Sequence, residues 1–368
     1  MALHWNSLDR DLFQRATTLL DDEWIQHDAD LASVLPVVLA RGVGQDWHKA
    51  GTFRHHLVGV ARSLALWQQP KEVRLLGLLH SVYGNAFVDL VKFDKNSERG
   101  RVQQLVGEQA EHLVHLFCTM SRMDFMRKLL AGHIEADGSL EIEMLGNAPA
   151  RTVRLTPYEV AAFIIVSMAD GIEQWFSWQE DIYSRTPDVD TSRQQKVHWA
   201  ASLWPGPMRP SSRLLCRISG LGVMLQHPVL RQQLPIPPVF NRCTRVLEPA
   251  ATAASTSLYW SVIQLDQPLV DLDVATGVLE QAVELTPWVA EPQMVLAQLY
   301  LSAGRQAEAA QAAESALQCF CSWGNAWDKR VQWDAWIAWT RILLQSAKEG
   351  TWPERLDKLN NIALKLES

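Results

Sequence analysis

The sequence contains no run of about 18 uncharged apolar residues, the length a membrane-spanning helix needs. Its start, Met1-Ala2-Leu3-His4-Trp5-Asn6, lacks the basic and apolar segments of a secretory leader. These absences argue against a membrane partner and lead us to expect a cytoplasmic, reduced protein. The five cysteines (Cys118, Cys216, Cys243, Cys319, Cys321) are scattered, odd in number and never spaced as CxxC, so neither a disulfide framework nor a zinc knuckle is implied. No basic cluster interrupts the intermixed charges, which sum to −7, so nucleic acid is not an expected partner. There is no GxSxG, P-loop or GxGxxG pattern, and Gly42-Val43-Gly44 has no strand before it.

What is present is material for packed cores. Apolar residues make up 48% of 368 residues, enough for two domains or for one domain and a repeat array. Most of the sixteen tryptophans cluster near 175–204 and 323–352. Filling gaps between helices is their simplest use, and stacking on a ligand is the alternative.

Apolar spacings of three and four predict amphipathic helices over 8–21, 28–41, 52–68, 71–82, 100–118 and 121–131. Alternation in 139–143 and 151–155, around Gly146-Asn147, predicts a small β-hairpin. Thr156-Pro157-Tyr158-Glu159 combines an N-cap hydroxyl, a proline at the first helical position and a glutamate placed to close a capping box. The helix it starts is apolar all round and carries Asp170 on a stripe with Phe163, Ser167 and Gln174. A carboxylate on such a helix needs a metal, an arginine or several donors.

Proline-rich stretches at 205–212 and 227–240 place a junction there. We therefore expect an all-α chain with a helical domain over 1–185, a connecting segment with short helices over 186–245, and helical repeats over 246–368.

The repeats are carried by Leu296-Ala297, Tyr300, Gly304, Ala309, Ala316 and Leu317, in the order and spacing of a 34-residue tetratricopeptide repeat. In the same register Pro287 closes the preceding unit and Ala275 takes its small packing position. The flanking stretches are atypical: 256–273 keeps only an apolar helix, and 324–348 substitutes Trp327, Trp333, Trp336 and Trp339. Such helix pairs offer a surface for a protein or peptide partner, or merely pack within the chain.

Arg54-His55-His56-Leu57-Val58-Gly59-Val60-Ala61, then Leu78-Leu79-His80-Ser81-Val82-Tyr83-Gly84, then Ser167-Met168-Ala169-Asp170-Gly171 resemble the successive signatures of the HD superfamily. The resemblance covers about residues 50–175. It is nearest an HD-like family with His-Ser where others have His-Asp, and it implies a helical bundle holding a divalent metal (Fe, Mn or Zn) through His56, His80 and Asp170. Arg101 through Val114 also looks like the helix that follows the signature in guanosine-tetraphosphate hydrolases, but Val82-Tyr83 stands where those enzymes have an acidic pair, which argues against that activity.

Helix geometry speaks to the same residues. At about 100° per residue, His56 lies at the edge of the stripe Phe53, Leu57, Val60, Ala61 and Leu64, while His55 lies opposite. His80 shares a stripe with Val73, Leu76 and Gly77, and Gly77 admits a close neighbour. His112, His115, Glu108 and Glu111 fall about 110–170° from their helix's apolar stripe, which reads as a solvated face. Cys118 reads as a small buried hydrophobe.

Serine is a poor ligand at neutral pH, so Ser81 leaves three alternatives: a single weaker metal, a site completed by another residue, or no metal. The expected function is a metal-dependent hydrolase or oxygenase acting on a small polar substrate, with Arg54, Tyr83 and Ser81 as its catalytic candidates. The alternative is a non-catalytic interaction protein in which the bundle supports the repeats.

Overall fold

The computed structural model describes residues 9–21, 23–48, 51–85, 90–145, 151–174, 211–264 and 271–352. Among them the fold is all-α, with sixteen helices and two small antiparallel two-stranded sheets. Contacts group the chain into two units that are not simple sequence halves: one contains residues 18–174 and 217–246, the other residues 1–17, 175–216 and 247–368. The first thus takes up part of the proline-rich stretch expected to be a connector. The tryptophans of 175–204 lie outside the described residues.

The first unit is built around three helices. A two-residue ribbon, β1 (Trp47–His48) with β2 (Gly51–Thr52), leads directly into α4 (Phe53–Leu66). Thr52 caps α4: its side chain accepts from the His55 amide, and the His55 ring reaches back to the Thr52 amide. That outward task fits the prediction that His55 faces away from the core. Next comes α5 (Lys71–Leu79), and α9 (Pro157–Glu173) packs on both α4 and α5. The expected capping box of Thr156 and Glu159 starts α9, and Val160 through Ala169 are all buried. An all-round apolar helix of this kind can only be an interior one.

Gly77 fixes the approach of α5 to α4. A Cβ there would stand 2.2 Å from Leu64 Cδ1, so the fully buried Leu64 side chain would have to shift. Gly77→Ala is therefore expected to cost about 1–3 kcal/mol, the usual penalty for overpacking a core, and urea denaturation would register it.

Several predicted helices are shorter or broken. Residues 8–21 give only α1 (Arg10–Thr17), and 28–41 is mainly turns around the five-residue α3 (Leu35–Leu39), the Asp28 carboxylate accepting from the amides of Asp30 and Leu31. A further short helix, α2, spans Trp24–His27. The stretch 100–118 is two helices, α6 (Arg99–Val106) and α7 (Glu108–Thr119), separated by Gly107 at φ 88°. Only glycine takes that conformation without strain. The predicted hairpin is present as β3 (Leu140–Glu143) paired with β4 (Thr152–Leu155), Leu140 opposite Leu155, and β3 packs on α8 (Arg122–Leu130). The unit also contains most of α10 (Ser212–Met224) and the single turn α11 (Val239–Cys243), whose Phe240, Asn241, Arg242 and Cys243 are left-handed.

In the second unit, α12 (Pro249–Ile263), α13 (Leu272–Leu285), α14 (Ala290–Ser302), α15 (Gln306–Trp323) and α16 (Trp333–Glu349) pack successively. Gly304 makes the α14–α15 turn at φ 72°. Ala275, Leu296, Ala297, Ala309, Ala316 and Leu317, the positions read as repeat contacts, are all buried. So are Trp323, Trp327, Trp333 and Trp336, which fill space between helices, as their sequence clustering suggested.

Candidate metal centre

α4, α5 and α9 deliver His56, His80 and Asp170 to one point. His56 Nε2 lies 3.1 Å from His80 Nε2 and 3.4 Å from Asp170 Oδ1; His80 Nε2 lies 3.7 Å from Asp170 Oδ1. Ligand atoms about 2.1 Å from one ion are about 3.0 Å apart at octahedral angles and about 3.4 Å apart at tetrahedral ones. The observed triangle fits a single ion.

The outer partners decide the chemistry of the imidazoles. His80 sits at the end of α5, where its Nδ1 lies 2.8 Å from the Gly77 carbonyl oxygen, and that oxygen can only accept. His56 Nδ1 meets the Glu173 carboxylate, which also can only accept. Both rings therefore carry their proton on Nδ1, leaving two Nε2 lone pairs and a carboxylate oxygen facing one another. Three electron-rich atoms converging in a buried place call for a positive group between them. Gly59 makes the Glu173 contact feasible, because a Cβ there would come within 2.9 Å of Glu173 Cγ.

Charge and burial agree with ligation. Burial lowers the His80 pKa to about 4, with His56 and Arg122 adding to the effect, so the ring is neutral at pH 7 and free to bind a metal. Burial opposes ionisation of Asp170, but its cationic neighbours outweigh it and hold the carboxyl well below the usual range. Because His80 is uncharged above about pH 4, its part in this is lost at neutral pH, whereas that of Arg122 persists. Its Nη2 donates to Asp170 Oδ2 at 2.9 Å, which leaves Oδ1 as the oxygen turned to the histidines. The guanidinium stands over the Phe117 ring, 4.3 Å from its centre.

Arg122 and Glu173 were not singled out by the sequence, and Gln174 was placed on the stripe of Asp170 without a role. Gln174 Nε2 donates to Asp170 Oδ1 and lies 3.0 Å from His56 Nε2. Glu173 and Gln174 follow Asp170 by three and four residues, a spacing that keeps side chains on neighbouring faces of a helix and was a usable signal.

The expected catalytic candidates do not join the cluster. The Ser81 hydroxyl is buried and accepts from Asn85 Nδ2 at 2.7 Å. Tyr83 is buried in a separate network, its hydroxyl donating to Glu111 Oε1 at 3.0 Å. Arg54 is half-buried on α4, and none of the hydrogen bonds or ion pairs described for the cluster reaches it.

Glu111 corrects the reading of α7's polar side as solvated. It is fully buried, paired through both oxygens with Arg99 (Nε 2.8 Å, Nη2 2.7 Å). Burial alone would raise its pKa, yet the bonds from Arg99 and Tyr83 bring it below the ordinary value. The physical reason is the break at Gly107. In one continuous helix the two residues would be about 18 Å apart along the axis; the turn folds α6 back and joins them. Glu108 and His112 are exposed as expected, His112 Nε2 pairing with Glu159 at 2.7 Å, and His115 is half-buried beside the Tyr83 ring. Cys118 is buried, with its thiol pushed up to about 12 by that burial.

The model of a family described as a domain of unknown function, DUF6817, matches residues 37–122. That segment carries His56 and His80 and stops short of Asp170, and it spans less than half of the chain. No curated protein and no solved structure matches the chain. Among the described residues no helix is long and apolar enough to cross a membrane.

Proposed function

We propose that the protein is a divergent HD-type metal-dependent enzyme acting on a small polar substrate, with one divalent ion held by His56, His80 and Asp170. The observation that carries this reading is the commitment of both Nδ1 protons to outer acceptors, which aims both Nε2 lone pairs at Asp170 Oδ1. Two neutral imidazoles and a carboxylate suit Fe, Mn or Zn. With Ser81 turned to Asn85, the candidate ligand group among the described residues is His56, His80 and Asp170 alone, which favours a mononuclear site.

The chain's own residues have definable tasks. Glu173 and the Gly77 carbonyl fix the ring orientations and tautomers. Arg122 keeps Asp170 ionised and leaves Oδ1 turned toward the histidines. Phe117, buried with its ring centre 6.2 Å from that of His80, covers one side of the cluster. A bound ion would supply Lewis acidity for hydrolysis, or redox chemistry toward oxygen if it is iron; identifying the ion separates hydrolase from oxygenase.

A second reading, a non-catalytic interaction protein with a degenerate bundle, draws support from the Gln174 amide, which already donates to Asp170 Oδ1. Metal analysis of the purified protein discriminates. The enzyme reading expects about one equivalent of Fe, Mn or Zn per chain, removed by a chelator and restored by dialysis. Less than about a tenth of an equivalent, with none taken up on addition, defeats it.

A further inference from the structure

We propose that Glu291 is a proton-operated latch on the loop between α15 and α16: its protonated carboxyl holds the loop closed, and its ionisation lets the loop open. Glu291 stands in the first turn of α14 and is 1% exposed. Its Oε1 accepts from the amides of Trp327 at 2.7 Å and Asp328 at 3.0 Å, so one oxygen carries the middle of the loop. Its Oε2 is buried and meets no donor among the described residues.

Its partners set this carboxyl apart from the other buried acids. Asp170 is bonded by Arg122 and Glu111 by Arg99, and both are held below the ordinary range. Among the described residues no cation bonds Glu291. The loop's Arg330 is spent on the fully buried Asp328, its Nε lying 2.9 and 3.0 Å from the two carboxylate oxygens, and Lys329 bonds Asn325. An ionised Glu291 would therefore set a second negative charge against Asp328 in the interior. Burial, with Asp328 adding to it, pushes the Glu291 carboxyl up to about 7, although the two amides pull the other way. The remaining groups around it add no charge to offset this. Tyr259 of α12 donates to Asp328 Oδ2 at 2.7 Å, and burial keeps both it and Cys319 of α15 neutral. α16 meets the loop through Trp336, whose Nε1 donates to the Asp328 carbonyl oxygen at 3.0 Å, and its first-turn Asp334 is half-exposed. On α13, Glu280 is bonded by Tyr300 and Glu284 is exposed.

In the open loop Glu291 meets water and returns to its ordinary value of 4.5. Between that value and about 7 the closed loop keeps a proton that the open loop gives up, so each unit of rising pH shifts the balance about tenfold toward opening. Above about 7 both forms are ionised and the balance levels off. Trp327, buried and 5.4 Å from Tyr259 between ring centres, is the large side chain that opening uncovers. The second unit would thus present an added aromatic surface as the pH rises through neutrality. Its dependence has the opposite sign to that of His80 in the first unit, so the loop's own amides are the proper readout.

The test is hydrogen exchange of the full-length protein at pH 5.5 and pH 8, for wild type and Glu291→Gln, read at the amides of Trp327 and Asp328 and corrected for the intrinsic rate at each pH. Wild type should lose about thirtyfold in protection between the two. Glu291→Gln keeps an oxygen that accepts both amides but cannot ionise, so its protection should be the same at both pH values. No loss in wild type, or an equal loss in the two proteins, would overturn the latch. Should Glu291→Gln fold poorly, the infrared spectrum of wild type decides: the band of a buried protonated carboxyl should be present at pH 5.5 and gone at pH 8, and its absence at pH 5.5 defeats the proposal.

Discussion

Given a divalent ion at a hundredfold excess over its dissociation constant, the wild-type protein should melt about 5–10 °C above the chelated sample, and His80→Ala should show no rise. Binding to the native state alone contributes about 2.7 kcal/mol at that excess. For a unit of this size each kcal/mol is worth about 2–4 °C. His80 is the sharpest position to test, because its Nδ1 bond to Gly77 leaves Nε2 facing His56 and Asp170. Asp170→Asn provides a variant of the same shape, and it too should lose the metal-dependent rise. A rise of equal size in wild type and both variants would place the ion elsewhere.

Acid should destabilise the first unit of the chelated protein between pH 6.5 and about 4. The sign follows from His80, whose pKa falls from 6.5 in the unfolded chain to about 4 in the native core. Through that window the unfolded chain takes up a proton that the native state refuses, so stability falls as pH falls. The loss is about 2.5 kcal/mol by pH 4.5 and is nearly complete below pH 4. Asp170 and Glu111, with lowered pKa values, contribute the same sign only at lower pH, below the ordinary carboxylate range. His115, also lowered by burial, adds to the slope in the same window. Urea denaturation at pH 7 and pH 4.5 in the presence of chelator, for wild type and His80→Asn, isolates the His80 share. Identical pH dependence in the two proteins would show that His80 is not held neutral.

The three proposed ligands were legible because each lies on a strongly periodic helix. One helical angle chose His56 over His55, and the apolar run from Val160 to Val166 announced that Asp170 would be carried on an interior helix. The small residues were legible in part: Gly77 was read as a point of close approach, and Leu64 is the side chain that meets it. Gly59, which makes room for Glu173, carried no comparable signal.

Glu111 was out of reach for a different reason. Its burial depends on Arg99, and the two meet only because Gly107 takes a positive φ, an event that a helical projection of 100–118 treats as continuous. Tyr83 and Ser81 illustrate the same limit. A position beside a motif histidine does not say which way a turn will aim the next side chains, and here the turn after α5 sends them to Glu111 and Asn85.

The contact between His56 and Glu173 joins residues 117 apart in sequence. His56 and His80, only 24 apart, can meet as soon as α4 and α5 collapse on each other. Asp170, Glu173 and Gln174 arrive with the last long helix of the segment, after the hairpin has closed. Closing the larger loop carries the greater entropic cost and comes late when folding follows contact order. An ion retained at full affinity would then certify that α9 has docked, and loading could follow the final step of assembly without any other probe of the fold.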